Sequence, residues 1–283
     1  MLDMDNLYDI QHAAEAVSAA GALLITAGAG MGVDSGLPDF RGNTGFWKAY
    51  PAYEKLGVSF SDLANPEWFT MDPALAWGFY GHRMGLYRRT RPHRGFQILR
   101  RWAEMVGDSF VFTSNVDGQF QKAGFDPHRI VECHGALSHM QCTRDCGVGL
   151  FDAFPYEVDV HPSSFRAQGK LPTCPECGSL ARPNVLMFGD FGFDEGRVAS
   201  QMGAYRDFLD GVSGPLVIVE SGAGTHIPTV RAQGEKLLRQ FPDATLIRLN
   251  PRESQGPSRT ISLPMPALMG LDAIDAAVDS KWF

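Results

Sequence analysis

Short apolar runs of strand length alternate along this chain with segments of helical period, and that alternation constrains the fold more than any other feature. Residues 7–20 repeat apolar side chains at Leu7, Ile10, Ala14 and Val17, one face of a helix, and stop at Gly21, a residue suited to a helix end. Ala22–Ala27 then reads as a buried strand. The alternation continues with a helix over 93–106, a strand over 109–113, a short helix after Asp117 ending at Gly124, and a short strand over 130–133. It resumes with strands over 184–188, 216–220 and 244–249 and with helices near 195–209, 229–241 and 271–278. Strands separated by helices lie parallel, so the expected fold is α/β, a Rossmann-like doubly wound parallel sheet covered on both faces.

Two stretches interrupt the pattern. Residues 43–92 scatter Trp47, Tyr50, Tyr53, Trp68, Trp77 and Tyr80 among helix formers and read as a helical insertion. Residues 138–182 hold four of the five cysteines, several Pro and Gly, and little periodicity, which reads as a small metal-stapled loop unit. The expected division is a sheet domain over 1–137 and 183–283, with a four-cysteine module over 138–182 between its halves.

Composition narrows the function. With 44% hydrophobic and 20% charged residues among 283, the chain has a globular balance, and that length buries roughly 75% of the unfolded surface without a staple. A formal charge of −7 argues against nucleic acid or an anionic membrane as partner, since both select clustered positive charge. The basic run from Arg88-Arg89 to Arg100-Arg101 lacks interleaved aromatics and reads as a solvated helix face. No stretch approaches the ~18 apolar residues of a membrane span. The first six residues carry acid where a secretion signal carries Lys or Arg, so a cytoplasmic location is expected. In that reducing compartment cysteines serve metal or chemistry before disulfides.

Cys142 and Cys146 form one hook and Cys174 and Cys177 another, with 27 residues between them. Such paired hooks present four thiolates to one tetrahedral zinc and leave no position for water, so the site would be structural. Redox pairs are the competing reading.

Three loop segments offer chemistry. Gly28-Ala29-Gly30-Met31-Gly32 follows the first strand, where glycine lets backbone N–H groups approach a diphosphate, although a tight structural turn explains it equally. Asp39, Phe40 and Arg41 place a carboxylate, an aromatic lid and an anion-binding guanidinium together, or form a surface loop with a buried Phe. Ser114, Asn115 and Asp117 stand at a strand's carboxyl end, where open α/β sheets bind ligands, and Asp117 could instead cap the next helix. His134 ends a short strand, and an imidazole with a reference pKa of about 6.5 suits proton transfer at neutral pH. Cys133 beside it invites a Cys–His nucleophile, but successive strand side chains face opposite ways, which assigns Cys133 to packing.

Read in order, these segments resemble the sirtuin family, the NAD-dependent protein deacylases. Residues 28–41 match the family signature except at Gly32, where Ser is usual, and 44–47 continue it. Residues 113–117 resemble Thr-Gln-Asn-Ile-Asp with Ser114 in place of Gln, and His134-Gly135 matches the motif whose His is the general base. The cysteine module follows at the family's place. Residues 182–190 resemble Arg-Pro-x-Val-x-x-Phe-Gly-Glu with Asp190 in place of Glu. Residues 222–225 stand where Gly-Thr-Ser is usual, with Ile227-Pro228 one residue out of pattern, and 246–250 match the strand whose terminal Asn meets adenosine.

The resemblance implies transfer of an acyl group from protein lysine to ADP-ribose with release of nicotinamide. It places His134 and Asn115 in catalysis and implies NAD contacts from Gly28, Ala29, Gly30, Asp39, Phe40, Arg41, Ser114, Asn115, Asp117, Gly222, Gly224 and Asn250. It implies zinc on the four cysteines and an acyl-lysine peptide lying as an added strand beside Phe188 and Gly189. Tyr80 and Arg83 match the pair with which one sirtuin class holds acidic acyl groups, although Tyr-x-x-Arg on a helix also describes a solvated face. The departures at Gly32, Ser114 and Ala223-Gly224 leave ADP-ribosyl transfer or NAD hydrolysis as the alternative reading. A non-catalytic NAD-binding or interaction module is a third, and the His134 and 39–41 set argues against it.

Overall fold

All six side chains of β1 (Ala22–Ala27) are buried, which requires cover on both faces of the strand. The computed structural model describes residues 4–38, 46, 47, 50, 51, 54, 57 and 59–279. Its main sheet joins β1 to β2 (Ser109–Thr113), β3 (Ile130–Glu132), β9 (Leu216–Ser221), β10 (Thr245–Leu249) and β11 (Thr260–Leu263). The order is β11-β10-β9-β1-β2-β3 and every pairing is parallel, with Ile25 opposite Val111 on one side and Val219 on the other. The chain moves outward from β1 in one direction and from β9 in the other, so the crevice between their carboxyl ends is the switch point.

Alternation along the strands sorts the core into two layers. Leu23, Ile25, Val111 and Val219 pack with Val17 of α1 (Met4–Ser18), Leu99 and Trp102 of α3 (Arg94–Val106) and Ile274 of α6 (Ala267–Asp279). Leu24, Phe110, Phe112 and Ile218 face the other way, onto Tyr205 and Phe208 of α4 (Gly196–Gly211) and Leu237 of α5 (Thr229–Gln240). Both layers exclude water from apolar side chains, the main driving force of the fold. Among the described residues no helix is long and apolar enough to cross a membrane.

The cysteine-bearing stretch is more ordered than its sequence suggests. β4 (Gly135–Cys142), β5 (Leu150–Asp152) and β8 (Ala181–Val185) form an antiparallel sheet in the order β5-β4-β8, and β6 (Asp159–Val160) pairs with β7 (Ala167–Gln168). The strand expected over 184–188 as part of the parallel sheet is therefore β8, shifted and antiparallel. Beyond it, the Leu186 and Phe188 N–H groups donate to the carbonyls of His134 and Ala64, which bends the chain out of the ladder.

α2 (Pro73–Arg89) starts at Asp72, whose carboxylate caps Leu75 N–H and takes two hydrogen bonds from Arg166. Ten of its 17 residues are buried, so this helix lies inside the protein. Trp77, Phe79 and Tyr80 share one core with Leu137, Met140 and Val185 of the small sheet, and Trp77 Nε1 donates to Ala181 O at 3.0 Å. The basic run expected on a solvated face turns partly inward: Arg88 donates to the carbonyls of Ala153 and Tyr156, while Arg101 pairs with Asp275.

Candidate active site

Two glycine turns interleave at the switch point. Gly28 and Gly30 donate their N–H groups to the carbonyls of Ser221 and Gly222, each at 3.0 Å. A Cβ on Gly28 would lie 2.8 Å from Ala223 Cα, and Gly222, at φ 65°, would bring one to 2.2 Å from Met31 N. Only glycine permits this backbone approach. A 3-10 helix, Ala29–Ser35, follows the first turn, which explains why the spacing departs from the usual dinucleotide fingerprint.

Above the turns lies a cavity of about 320 Å³, lined by Gly28, Ala29, Ser114, Asn115, Asp117 and His134 among others. Asn115 Nδ2 donates to Gly28 O at 3.0 Å, and its backbone N–H donates to Thr113 Oγ1, which itself donates to Ala27 O. That chain of bonds ties the end of β2 to the glycine turn. Asp117 accepts the Gln119 N–H at 3.0 Å, so it does cap the next turn, and it also faces the cavity. Burial pushes its carboxyl up to about 6 against the pull of that hydrogen bond.

His134 is held by its backbone, whose carbonyl accepts the Leu186 N–H at 2.9 Å, and its Nε2 lies 3.4 Å from Thr229 Oγ1. Burial holds the imidazole below its ordinary range, so it is neutral and basic at pH 7. Cys133 packs instead against the layer containing Phe112 and Tyr205, and burial pushes its thiol up to about 12. The Cys–His nucleophile reading falls with that geometry.

Tyr80 and Arg83 line the same cavity and are buried, contrary to a solvated face. Arg83 Nε and Nη2 donate to Tyr87 Oη at 3.1 and 2.9 Å, and its guanidinium lies 5.1 Å from the Phe79 ring centre. Tyr80 Oη is buried with no hydrogen-bond partner among the described residues. Phe188 lines the rim; Gly189, at φ 68°, sits in the turn beyond it and Phe191 is fully exposed. Asp190 pairs with buried Arg182 and accepts the Met187 and Gly192 N–H groups, fixing that turn.

Gly222 and Gly224 line the cavity, whereas Gly30 and Asn250 do not. Asn250 is fully buried: its Nδ2 donates to Ala223 O at 2.8 Å and its Oδ1 accepts two N–H groups of the loop beyond. It therefore holds the second glycine turn from behind. Asp39, Phe40 and Arg41 lie outside the described residues. Leu37, His226, Ile227 and Val230 also line the cavity and were missed; the signal available was the place of Leu37 just after the first glycine turn's 3-10 helix and of the other three around the start of the helix after β9.

The four cysteines converge on one point. Their sulfurs lie within 4.8 Å of one another, with Cys142–Cys177 at 3.6 Å and Cys146–Cys174 at 3.5 Å. Four thiolates about 2.3 Å from one zinc stand about 3.8 Å apart, so the set fits the ion, whereas a disulfide would need about 2.05 Å. The close contacts run between the hooks rather than within them, which counts against redox pairs. Arg144 N–H points at Cys142 Sγ, 3.4 Å away, a donor that stabilises a thiolate.

Comparison with known proteins agrees with this arrangement. The model of the Sir2 family matches residues 28–202. A protein of Thermococcus kodakarensis named an NAD-dependent protein deacylase is 35% identical over 183 residues, 63% of this chain and 64% of that protein. One of the same name from Aeropyrum pernix is 33% identical over 208 residues, 69% of this chain and 76% of the relative. The alignment with the Thermococcus protein thus spans just under two thirds of that relative's length. Among solved structures, a Sir2 homologue–NAD complex superimposes with a TM-score of 0.71 at 24% identity, covering 95% of this chain and 94% of its own. A Sir2 homologue bound to ADP-ribose gives 0.68 at 25% identity, covering 99% and 98%. With the family match extending over more than half of the residues, from the first glycine turn through the histidine and all four cysteines, this chain belongs to the Sir2 family.

Proposed function

We propose that this protein is an NAD-dependent protein lysine deacylase that passes the acyl group to ADP-ribose and releases nicotinamide. The observation that carries the reading is a neutral, half-buried imidazole, His134, opening onto one cavity with Asn115, Asp117 and both glycine turns. NAD, when bound, supplies a ribose carbon that is open to attack once nicotinamide leaves. Gly28, Ala29, Ser114, Gly222 and Gly224 line its path, with Gly30 and Asn250 shaping the turns, and Asp39, Phe40 and Arg41 completing the site. Asn115 and Asp117 orient the ribose hydroxyls by hydrogen bonds. His134 Nε2 takes the proton from the hydroxyl that captures the acyl group, and Thr229 holds that nitrogen until the substrate arrives. The apolar walls, including Leu37, Val116 and Ile227, exclude the water that would otherwise compete as acceptor.

The acyl-lysine peptide lies beside Phe188 and Gly189 and pairs through its backbone. Tyr80 and Arg83 put a phenol and a guanidinium at the depth an acyl chain reaches, a combination suited to an acidic acyl group. Cys142, Cys146, Cys174 and Cys177 hold a zinc that fills its coordination sphere with sulfur and contributes structure only. We place the reaction in the cytoplasm, a reading supported by cysteines arranged for metal rather than disulfides.

The test is mass spectrometry of peptide and nucleotide products with NAD and a panel of acetyl, succinyl and longer acyl-lysine peptides. Deacylated peptide together with acylated ADP-ribose supports the proposal, and NAD consumption without acylated nucleotide supports ADP-ribosyl transfer or hydrolysis instead. Unchanged succinyl turnover in Arg83→Ala removes the acidic-acyl assignment.

A further inference from the structure

Two phenols flank Arg83 on α2, Tyr80 one turn before it and Tyr87 one turn after, and all three border the cavity beside His134. Their surroundings differ. Tyr80 is wholly enclosed, and its Oη is closed off from solvent as well as lacking a hydrogen-bond partner among the described residues. A group arriving in the cavity meets that oxygen only if the wall moves. Tyr87 and Arg83 keep 7% and 6% of their surface open.

Arg83 donates twice to Tyr87 Oη, from Nε and from Nη2, so both lone pairs of that oxygen are taken and its own hydrogen is left to donate. No acceptor for this hydrogen stands among the described residues. Two charge-assisted bonds into the oxygen polarise the O–H and strengthen it as a donor. Burial raises the pKa of the phenol, so the hydroxyl stays protonated at neutral pH. The rings of Phe60, Phe79, Tyr80 and Tyr87 stand 5.1 to 6.0 Å from the guanidinium carbon and set where the cation sits, by cation–π attraction. The two bonds to Tyr87 set how it is turned.

We infer that Tyr87, rather than Tyr80, is the phenol that works with Arg83 on an acidic acyl group: it orients the guanidinium and donates its own O–H to an oxygen of the acyl carboxylate. Tyr80 then serves through its ring, packed beside the guanidinium. The inference rests on the reading of this cavity as the site of an acidic acyl-lysine, and it assigns the specificity of that site to a residue the Tyr-x-x-Arg spacing does not contain.

The test compares the full, metal-loaded wild type with Tyr87→Phe and Tyr80→Phe on one peptide that carries either succinyl-lysine or acetyl-lysine. Two quantities are measured, kcat/KM with NAD and calorimetric affinity without it, so that failed turnover is seen apart from failed recognition. In Tyr87→Phe the succinyl-to-acetyl ratio of both quantities should fall about tenfold or more, the loss expected when buried guanidinium donors lose their acceptor. In Tyr80→Phe the fall should be about fivefold smaller or less. Both variants keep the ring, and a ratio between two substrates is not moved by a general loss of folded protein. An unchanged ratio in Tyr87→Phe, or a fall in Tyr80→Phe that equals or exceeds it, overturns the inference and leaves the deacylase reading standing. Succinyl binding that depends on Tyr87 but is followed by no turnover supports the inference and contradicts the deacylase reading instead. A wild type that neither binds nor turns over the succinyl peptide, while it accepts the acetyl one, overturns the acidic-acyl assignment and this inference together.

Discussion

Every side chain of β1 and β9 is buried, whereas none of those in β5, β6 and β7 is. The two regions are held together by different physics. The parallel sheet stands on two apolar layers, and burial of side chains such as Ile25 and Val219 contributes about 1.5–3 kcal/mol each. The outer strands of the small module contribute no buried side chains; its core is the layer that β4 and β8 share with α2, and the four sulfurs hold the end that this layer does not reach. The wall bearing Asn115 and the glycine turns should therefore survive treatments that dissolve the cysteine-bearing end of the module.

Metal removal breaks that comparison most sharply. Structural zinc sites supply about 10–16 kcal/mol, so chelation or Cys174→Ala should abolish amide protection in β4 and β8 near the cysteines while β1, β2 and β9 remain protected. Hydrogen exchange read by mass spectrometry checks this, and uniform loss across both regions would contradict it. Next, His134→Ala should lower kcat/KM about 10²–10⁴-fold, the worth of a general base, with an unfolding midpoint close to wild type.

The sheet also holds a buried ion pair: Arg248 meets Glu220 at 2.6 Å with both side chains fully inaccessible. Arg248→Met strands the carboxylate and should destabilise by about 3–5 kcal/mol in denaturant titrations, while zinc content is unchanged. Gln119 tests the opposite sign. Both its amide atoms are buried without hydrogen-bond partners among the described residues, so Gln119→Leu should stabilise by about 1 kcal/mol.

Acidity gives the smallest effects. Because burial lowers the His134 pKa, the unfolded chain takes up the proton first as pH falls; the folded state loses stability below about 6.5, and that residue's limb in kcat/KM lies below the same value. Asp117 has the reverse sign: its carboxyl, raised to about 6, binds its proton more tightly when folded, so its contribution to stability declines as pH rises from about 4 to about 6. Asp117→Asn should flatten that decline in pH-dependent denaturation.

Much of the site was legible in the sequence because its demands are steric and local. Gly28 and Gly222 stand where a Cβ has no room, and the cysteine hooks carry their chemistry in their spacing. Of the six strands expected from periodicity, five survive in the parallel sheet as β1, β2, β3, β9 and β10. The small sheet was hidden because β8 buries Arg182 and Asn184, polar residues whose partners, Asp190 and Gln141, lie outside that strand. β11 was missed because its four residues alternate buried and half-buried positions too briefly to show a period. Arg83 was ambiguous for a related reason: α2 is enclosed on several sides and has no clear polar face to read. The support role of Asn250 depends on Ala223, 27 residues away, a contact no local pattern contains.

The central claim is that one cavity couples loss of nicotinamide to capture of an acyl group beside His134. The most direct measurement is stoichiometry, counting nicotinamide, deacylated lysine and acylated ADP-ribose in one reaction of the metal-loaded enzyme. Equal amounts of all three, falling together in His134→Ala, are predicted. Nicotinamide formed in excess, with ADP-ribose left free or attached to protein and the lysine still acylated, would contradict the account.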